Sequence, residues 1–174
     1  DLVIPIFEDG IETIIKYKDK IDSNKLSLLS SNKDFQIARN KWLLANHLLV
    51  NDIPSPKSFL YSSNITFEMW QDKFPVIVKP SVVSGGGDGV LLFKNKIELK
   101  NYFLNNDFKY DQIIQEYIKG YDIGCSVLCK SGTILAFTIQ KAAMLNSNPF
   151  RPLLGVEFVY NAELFKTIEK LMMS

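Results

Sequence analysis

Two hydrophobic periods alternate along this chain. Residues 2–6 and 26–29 are short apolar runs that read as strands, with a helical pattern through about residue 18 after the first. Ser31 and Asp34 have the spacing of a capping box and open a brief helix to residue 38. Asn40 can cap a longer helix over 41–50, apolar at 43, 44, 48 and 49, and Pro54 and Pro56 end it. Further helices are predicted over 66–73 and 96–105, and strands over 76–78, 90–93 and 111–117. Residues 122–129 and 133–141 form a hairpin around Lys130, Ser131 and Gly132. Residues 145–155, with Asn146, Asn148, Pro149, Pro152 and Gly155, read as a loop, and 162–173 as an amphipathic helix. The sum is an α/β chain. Its front strand and last helix run to the two ends, which suggests a fragment of a longer protein.

Composition narrows the classes. A chain of 174 residues, 47% hydrophobic and 22% charged, has enough apolar surface for one or two globular units. No run approaches the roughly 20 apolar residues that span a bilayer. Twenty basic against nineteen acidic residues leave a formal charge of +1 with no basic stripe, so neither a nucleic acid nor a membrane is an expected partner. Cys125 and Cys129 lack C-x-x-C spacing and read as reduced thiols, and His47 lies in an apolar helical run.

Chemistry concentrates in two stretches. The strand at 76–78 delivers Lys79, and Gly85, Gly86, Gly87 and Gly89 follow before the return strand. Glycine lets backbone N–H groups approach an anion closely, and a lysine at the root of the loop adds a point charge. That is a phosphate-binding hairpin or an ordinary glycine-rich turn; the order of residues fits neither a P-loop nor a dinucleotide fingerprint. The second stretch runs Ile113-Ile114-Gln115-Glu116-Tyr117-Ile118-Lys119-Gly120-Tyr121-Asp122. An apolar strand enters a polar hinge that ends in an acid. Such a hinge can hold adenine by backbone groups and a ribose by the carboxylate, or can be a solvated turn.

Three motifs in order carry a resemblance. Lys41 with Asp52-Ile53-Pro54-Ser55-Pro56, then Phe74-Pro75-Val76-Ile77-Val78-Lys79-Pro80 with the glycine loop, then Gln115-Glu116-Tyr117-Ile118-Lys119-Gly120-Tyr121-Asp122 are together similar to the ATP-grasp superfamily, the carbamoyl phosphate synthetase, biotin carboxylase and D-alanine–D-alanine ligase type of enzyme. The resemblance implies an α/β ATP-grasp fold fragment that carries the end of a preceding Rossmann-like parallel-sheet domain. The implied division is 1–39 for that end, 40–57 for a linking helix and loop, 58–117 for the lid subdomain and 118–174 for the first part of the central subdomain.

By the same resemblance, Lys41 and Lys79 reach the nucleotide phosphates. Ser84, Gly85, Gly86, Gly87 and Gly89 belong to a mobile flap over them. Gln115, Glu116, Tyr117 and Ile118 form the hinge, with the backbone of Glu116 and Ile118 on adenine, Asp122 lies on the ribose, and Lys141 lies near the γ-phosphate. The implied chemistry is ATP-dependent activation of a carboxylate for attack by an amine or other nucleophile, in the cytoplasm. A non-catalytic nucleotide-binding or regulatory module is the alternative, and a homodimer is left open. Magnesium is the implied metal, with its acids expected C-terminal to this chain, so the fragment alone is expected to be inactive. Three positions depart from the family pattern: Asp52 stands where glycine is usual, Asp88 puts an acid in the flap, and Asp122 replaces a longer glutamate.

Overall fold

The computed structural model describes residues 2–62, 70, 73–82 and 85–174. In chain order the elements are α1 (Glu8–Tyr17), α2 (Asn32–Arg39), α3 (Lys41–Val50), β1 (Ser58–Leu60), β2 (Val76–Pro80), β3 (Leu91–Phe93), α4 (Lys96–Leu104), β4 (Gln112–Glu116), β5 (Ile123–Lys130), β6 (Thr133–Met144), β7 (Gly155–Val159) and α5 (Ala162–Met173). The strands form two antiparallel sheets, ordered β1-β4-β2-β3 and β5-β6-β7.

The first sheet carries the main core. Val76, Val78 and Ile114 are fully buried with Leu99 of α4, and Trp70, Phe93 and Phe103 complete the cluster. Phe59, Tyr61, Phe74, Tyr102 and Phe108 pack around it, and Tyr61 stacks on Phe103 at 3.7 Å between ring centroids. Asn95 starts α4, accepting from the Glu98 N–H at 3.0 Å. Against the second sheet lies α5, with Phe165 and Phe137 ring centroids 4.5 Å apart. Ser131 and Gly132 both have positive φ, 49° and 80°, as a two-residue hairpin turn between β5 and β6 requires.

The elements foreseen at 31–38, 41–50, 96–105 and 162–173 form within a residue or two of those limits. Ser31 Oγ accepts from the Asp34 N–H at 3.1 Å, the contact that its spacing predicts. Three expectations need correction or fall elsewhere. The strands at 2–6 and 26–29 reduce to one parallel bridge between Val3 and Leu26. Leu2, Ile4 and Ile6 stay exposed beside it, because no further strand or helix among the described residues covers them. The described residues do not show the preceding Rossmann-like domain that the resemblance implied; the front of the chain offers this one parallel bridge and no parallel sheet. The supposed end of the 145–155 loop is the first residue of β7, a five-residue strand hidden by the Pro and Gly signals before it. The helix expected over 66–73 lies outside the described residues apart from Trp70 and Lys73, where the Lys73 N–H donates to the Trp70 carbonyl at 3.0 Å.

The two sheets meet through their loops. The glycine loop after β2 is seated on the loop between β6 and β7. Asp88 pairs with Arg151, and Gly86 lies against Pro152. Gly87 has φ +80°, and a Cβ there would fall 1.5 Å from the Phe150 carbonyl oxygen. Only glycine fits that approach. At Gly85 an added Cβ meets nothing within 4 Å. Gly87→Ala is therefore expected to unseat the loop and speed amide hydrogen exchange at Asp88, Val90 and Arg151 roughly tenfold or more, while Gly85→Ala leaves these amides unchanged. Equal exchange in both variants would refute the seating.

Candidate functional site

Strand geometry decides where Lys79 goes. Val76 and Val78 face the core, so Ile77 and Lys79 occupy the opposite face of β2. On that face Gln115 of β4 lies opposite both Ile77 of β2 and Ser58 of β1. Lys79 and Gln115 are thus diagonal neighbours across the pair, within reach of long side chains. The Lys79 ammonium donates to Gln115 Oε1 at 2.8 Å. Gln115 Nε2 donates to Ser58 Oγ at 2.7 Å, and that hydroxyl donates to the Pro56 carbonyl at 3.0 Å.

Lys41 arrives from the linking helix. Asn40 Oδ1 accepts from the Trp42 and Leu43 N–H groups at 3.0 and 3.1 Å and fixes the start of α3. The Lys41 N–H donates to the Ser81 carbonyl at 2.8 Å, which ties the helix start to the residue after β2. Burial pushes the Lys79 ammonium below its ordinary value, and the Lys41 charge pushes it the same way. Lys41 is lowered by its own burial, with Glu8 opposing. Neither lysine makes a salt bridge among the described residues. The two half-buried cations are thus near enough for one charge to disfavour the other, and Glu8 offsets this only at Lys41.

The hinge follows β4. The Glu116 N–H donates to the Lys57 carbonyl at 2.9 Å, and its carboxylate accepts from the Lys57 N–H at 3.3 Å. Tyr117 lies at the surface, and Ile118 is 58% exposed. The Ile118 N–H has no backbone partner among the described residues. Asp122 is exposed, and its carbonyl accepts from the Ala142 N–H at 2.9 Å. Lys141 stands opposite Ile123 on β6, its Nζ 3.5 Å from Glu157 Oε1 and 5.1 Å from the centre of the Tyr121 ring.

The structure therefore gathers the expected residues into groups. Lys41, Lys79 and Gln115 converge at the end of β2. Asp122 and Lys141 sit with Tyr121 and Glu157 at one end of the second sheet, and among the described residues no hydrogen bond or ion pair joins them to the first group. Gly85, Gly86, Gly87 and Gly89 form the loop seated on residues 150–152, and Ser84 lies outside the described residues. Sequence reasoning missed Ser58, Arg151 and Glu157. An acid in the flap implied some cationic partner without identifying Arg151. Ser58 becomes visible only once the register of β1 on β4 is known.

Two departures from the family pattern gain physical reasons. Asp88 is answered by Arg151, so its charge is not aimed unpaired at the site. Asp52 has φ +50°, the left-handed region that glycine tolerates best and aspartate better than most. Lys170 of α5 also donates to its carbonyl at 2.7 Å. His47 bonds Ser174 at 2.8 Å, and both cysteines are free thiols. Among the described residues no three His, Cys, Asp or Glu side chains form a group that could hold a metal ion.

Comparison with known proteins bears on this arrangement. Tetrahydromethanopterin:alpha-L-glutamate ligase of Methanocaldococcus jannaschii is 33% identical over 86 residues, covering 47% of this chain and 30% of that enzyme. The L-amino acid ligase of Bacillus licheniformis superposes with a TM-score of 0.65 at 17% identity, over 98% of this chain and 41% of that one. D-alanine–D-alanine ligase of Bacillus anthracis, solved in complex with ATP, gives 0.60 at 23% identity, over 81% and 46%. The two structural likenesses show the fold alone. The chain spans about a third to a half of the length of these relatives. A family model described as an ATP-grasp domain matches residues 38–172, from the residue before Arg39 to within α5, and the chain belongs to that family.

Proposed function

We propose that this chain is the ATP-binding portion of an ATP-grasp ligase, which activates a carboxylate as an acyl phosphate for attack by an amine or another nucleophile. The observation that carries the reading is the pair Lys41 and Lys79, two lysines near the start of a glycine loop that make no salt bridge among the described residues, Lys79 being bonded to an amide. Family membership supports it, and so does the ATP complex of a structural neighbour. The domain division of the sequence reading belongs to the same proposal: 1–39 as the end of a preceding domain, 40–57 as the link, 58–117 as lid and 118–174 as the start of the central subdomain.

In this reading a carboxylate oxygen of the substrate attacks the γ-phosphorus of ATP, and ADP leaves. The nucleophile then displaces phosphate from the acyl carbon. Lys79 neutralises charge on the α- and β-phosphates, and Lys41 adds a second positive charge from the helix start. The seated loop 85–89 excludes water from the transferring group. Glu116 C=O and Ile118 N–H hold the adenine edge, and the exposed Asp122 carboxylate takes the ribose hydroxyls. Lys141 approaches the γ-phosphate once it exchanges Glu157 for substrate. Turnover by the longer protein distinguishes this reading from a binding module without catalysis.

Paired substitutions test the site. Lys79→Ala should weaken ATP binding roughly tenfold to a hundredfold, the worth of a charge-assisted hydrogen bond, and leave adenosine nearly unaffected. Asp122→Ala should weaken both ligands alike, because both contain the ribose. Isothermal titration of folded variants, checked by circular dichroism, reads the contrast. Equal loss of both ligands in Lys79→Ala removes the phosphate role.

The lowered Lys79 value supplies a second test. An anion favours the charged ammonium, so ATP should raise the Lys79 pKa back toward 10.5. Binding then takes up protons at alkaline pH, and ATP affinity falls as pH rises through the value of the free protein. Adenosine should show neither effect. Calorimetry in two buffers of different ionisation enthalpy counts the protons, and zero uptake with ATP contradicts the assignment.

A further inference from the structure

The Lys79–Gln115–Ser58–Pro56 chain has a direction. An ammonium only donates, so Gln115 must turn Oε1 toward Lys79. Its Nε2 then faces Ser58 Oγ, and the Ser58 hydroxyl proton goes to Pro56, whose carbonyl only accepts. Donor and acceptor choice is thereby fixed at both ends. The relay crosses three strands on one face, β2 to β4 to β1, and ends in the linker that follows α3. It consumes one of the three ammonium protons of Lys79 and leaves two for another ligand. The partner is also an amide. A carboxylate at 115 would hold Lys79 at least as firmly, but it would cancel the charge that the site presents.

We propose that Gln115 is a positioning residue, which aims the Lys79 ammonium at the nucleotide phosphates through a neutral relay to Ser58 and Pro56 and leaves its charge uncompensated. The inference rests on the proposed ATP-binding function and deepens it. It gives the Gln115 side chain a task apart from contact with the base. The lowered Lys79 pKa is consistent with a partner that brings no negative charge.

The experiment uses the whole chain with Gln115→Leu, Gln115→Glu and Ser58→Ala, and with ATP and adenosine as probes. Gln115→Leu should weaken ATP about two- to tenfold, with Ser58→Ala smaller in the same direction, as expected for loss of a positioning hydrogen bond. Gln115→Glu should weaken ATP roughly tenfold or more, because a new carboxylate competes with phosphate for Lys79. Adenosine affinity should not change in any of the three. A role limited to bracing the sheet predicts the reverse for glutamate, whose ion pair braces Lys79 better. Parental ATP affinity in Gln115→Glu would overturn the proposal, as would equal loss of ATP and adenosine, which makes Gln115 a nucleoside contact. NMR titration of Lys79 gives a readout without nucleotide. Its pKa should rise in Gln115→Glu, and a titration unchanged in both Gln115 variants overturns the relay itself. Failure of the parent chain to bind ATP while the Lys79 titration responds to residue 115 would overturn the proposed function and the phosphate end of this proposal, leaving only the relay.

Discussion

The site depends on one constraint: β2 must bury its core face and present a lysine on the other. Val76 and Val78 are fully buried, so the pleat turns Lys79 away from the core. A lysine in an internal strand costs desolvation, which lowers its pKa. An ordinary structural solution would pair it with an acid. Here its partner is an amide on the adjacent strand, and a second lysine is tethered close by through the Lys41 N–H and the Ser81 carbonyl. The fold thus holds an electrostatic conflict at this point, of the kind that the phosphates of the proposed nucleotide would relieve. Strain of this kind is where functional sites are expected.

Other features are arranged around that conflict. The core cluster fixes β2 and β4, whose register determines that Gln115 meets Lys79 and Ser58. Asn40 fixes the first turn of α3 and with it the origin of the Lys41 side chain. Across the gap between the sheets, the glycine loop rests on the β6–β7 loop through the Asp88–Arg151 pair and the approach of Gly87 to Phe150. An exposed pair of this kind contributes about 0–1 kcal/mol. The steric fit at Gly87 is the more demanding part of the seating.

Much of the fold was legible because local signals agreed. Asn40, Ser31 and the apolar spacing of 162–173 each specify an element by local physics, and each element forms there. Elements that depend on distant partners were less legible. The front strands need neighbours to make a ladder and form only one bridge, and β7 has its start masked by turn residues. The same division runs through the candidate site. Lys79 and the glycines stand out by type and order. Ser58, Arg151 and Glu157 are common residues whose meaning comes from pairing across strands or between loops, which no one-dimensional spacing records.

The departures from the family pattern show how sequence and structure constrain each other. Asp52 keeps a left-handed backbone where glycine is usual, and Lys170 of α5 binds its carbonyl, so the linker is tied to the last helix. Asp88 puts an acid in the glycine loop, and Arg151 neutralises it. In both cases a basic residue far along the chain answers an anomaly near its middle. The two answers differ in kind. Lys170 engages a backbone oxygen that any residue at 52 would offer, so it accommodates the linker geometry and not the aspartate side chain. Arg151 engages the Asp88 side chain itself, and the two residues have to change together if the flap is to keep both its seat and its charge balance.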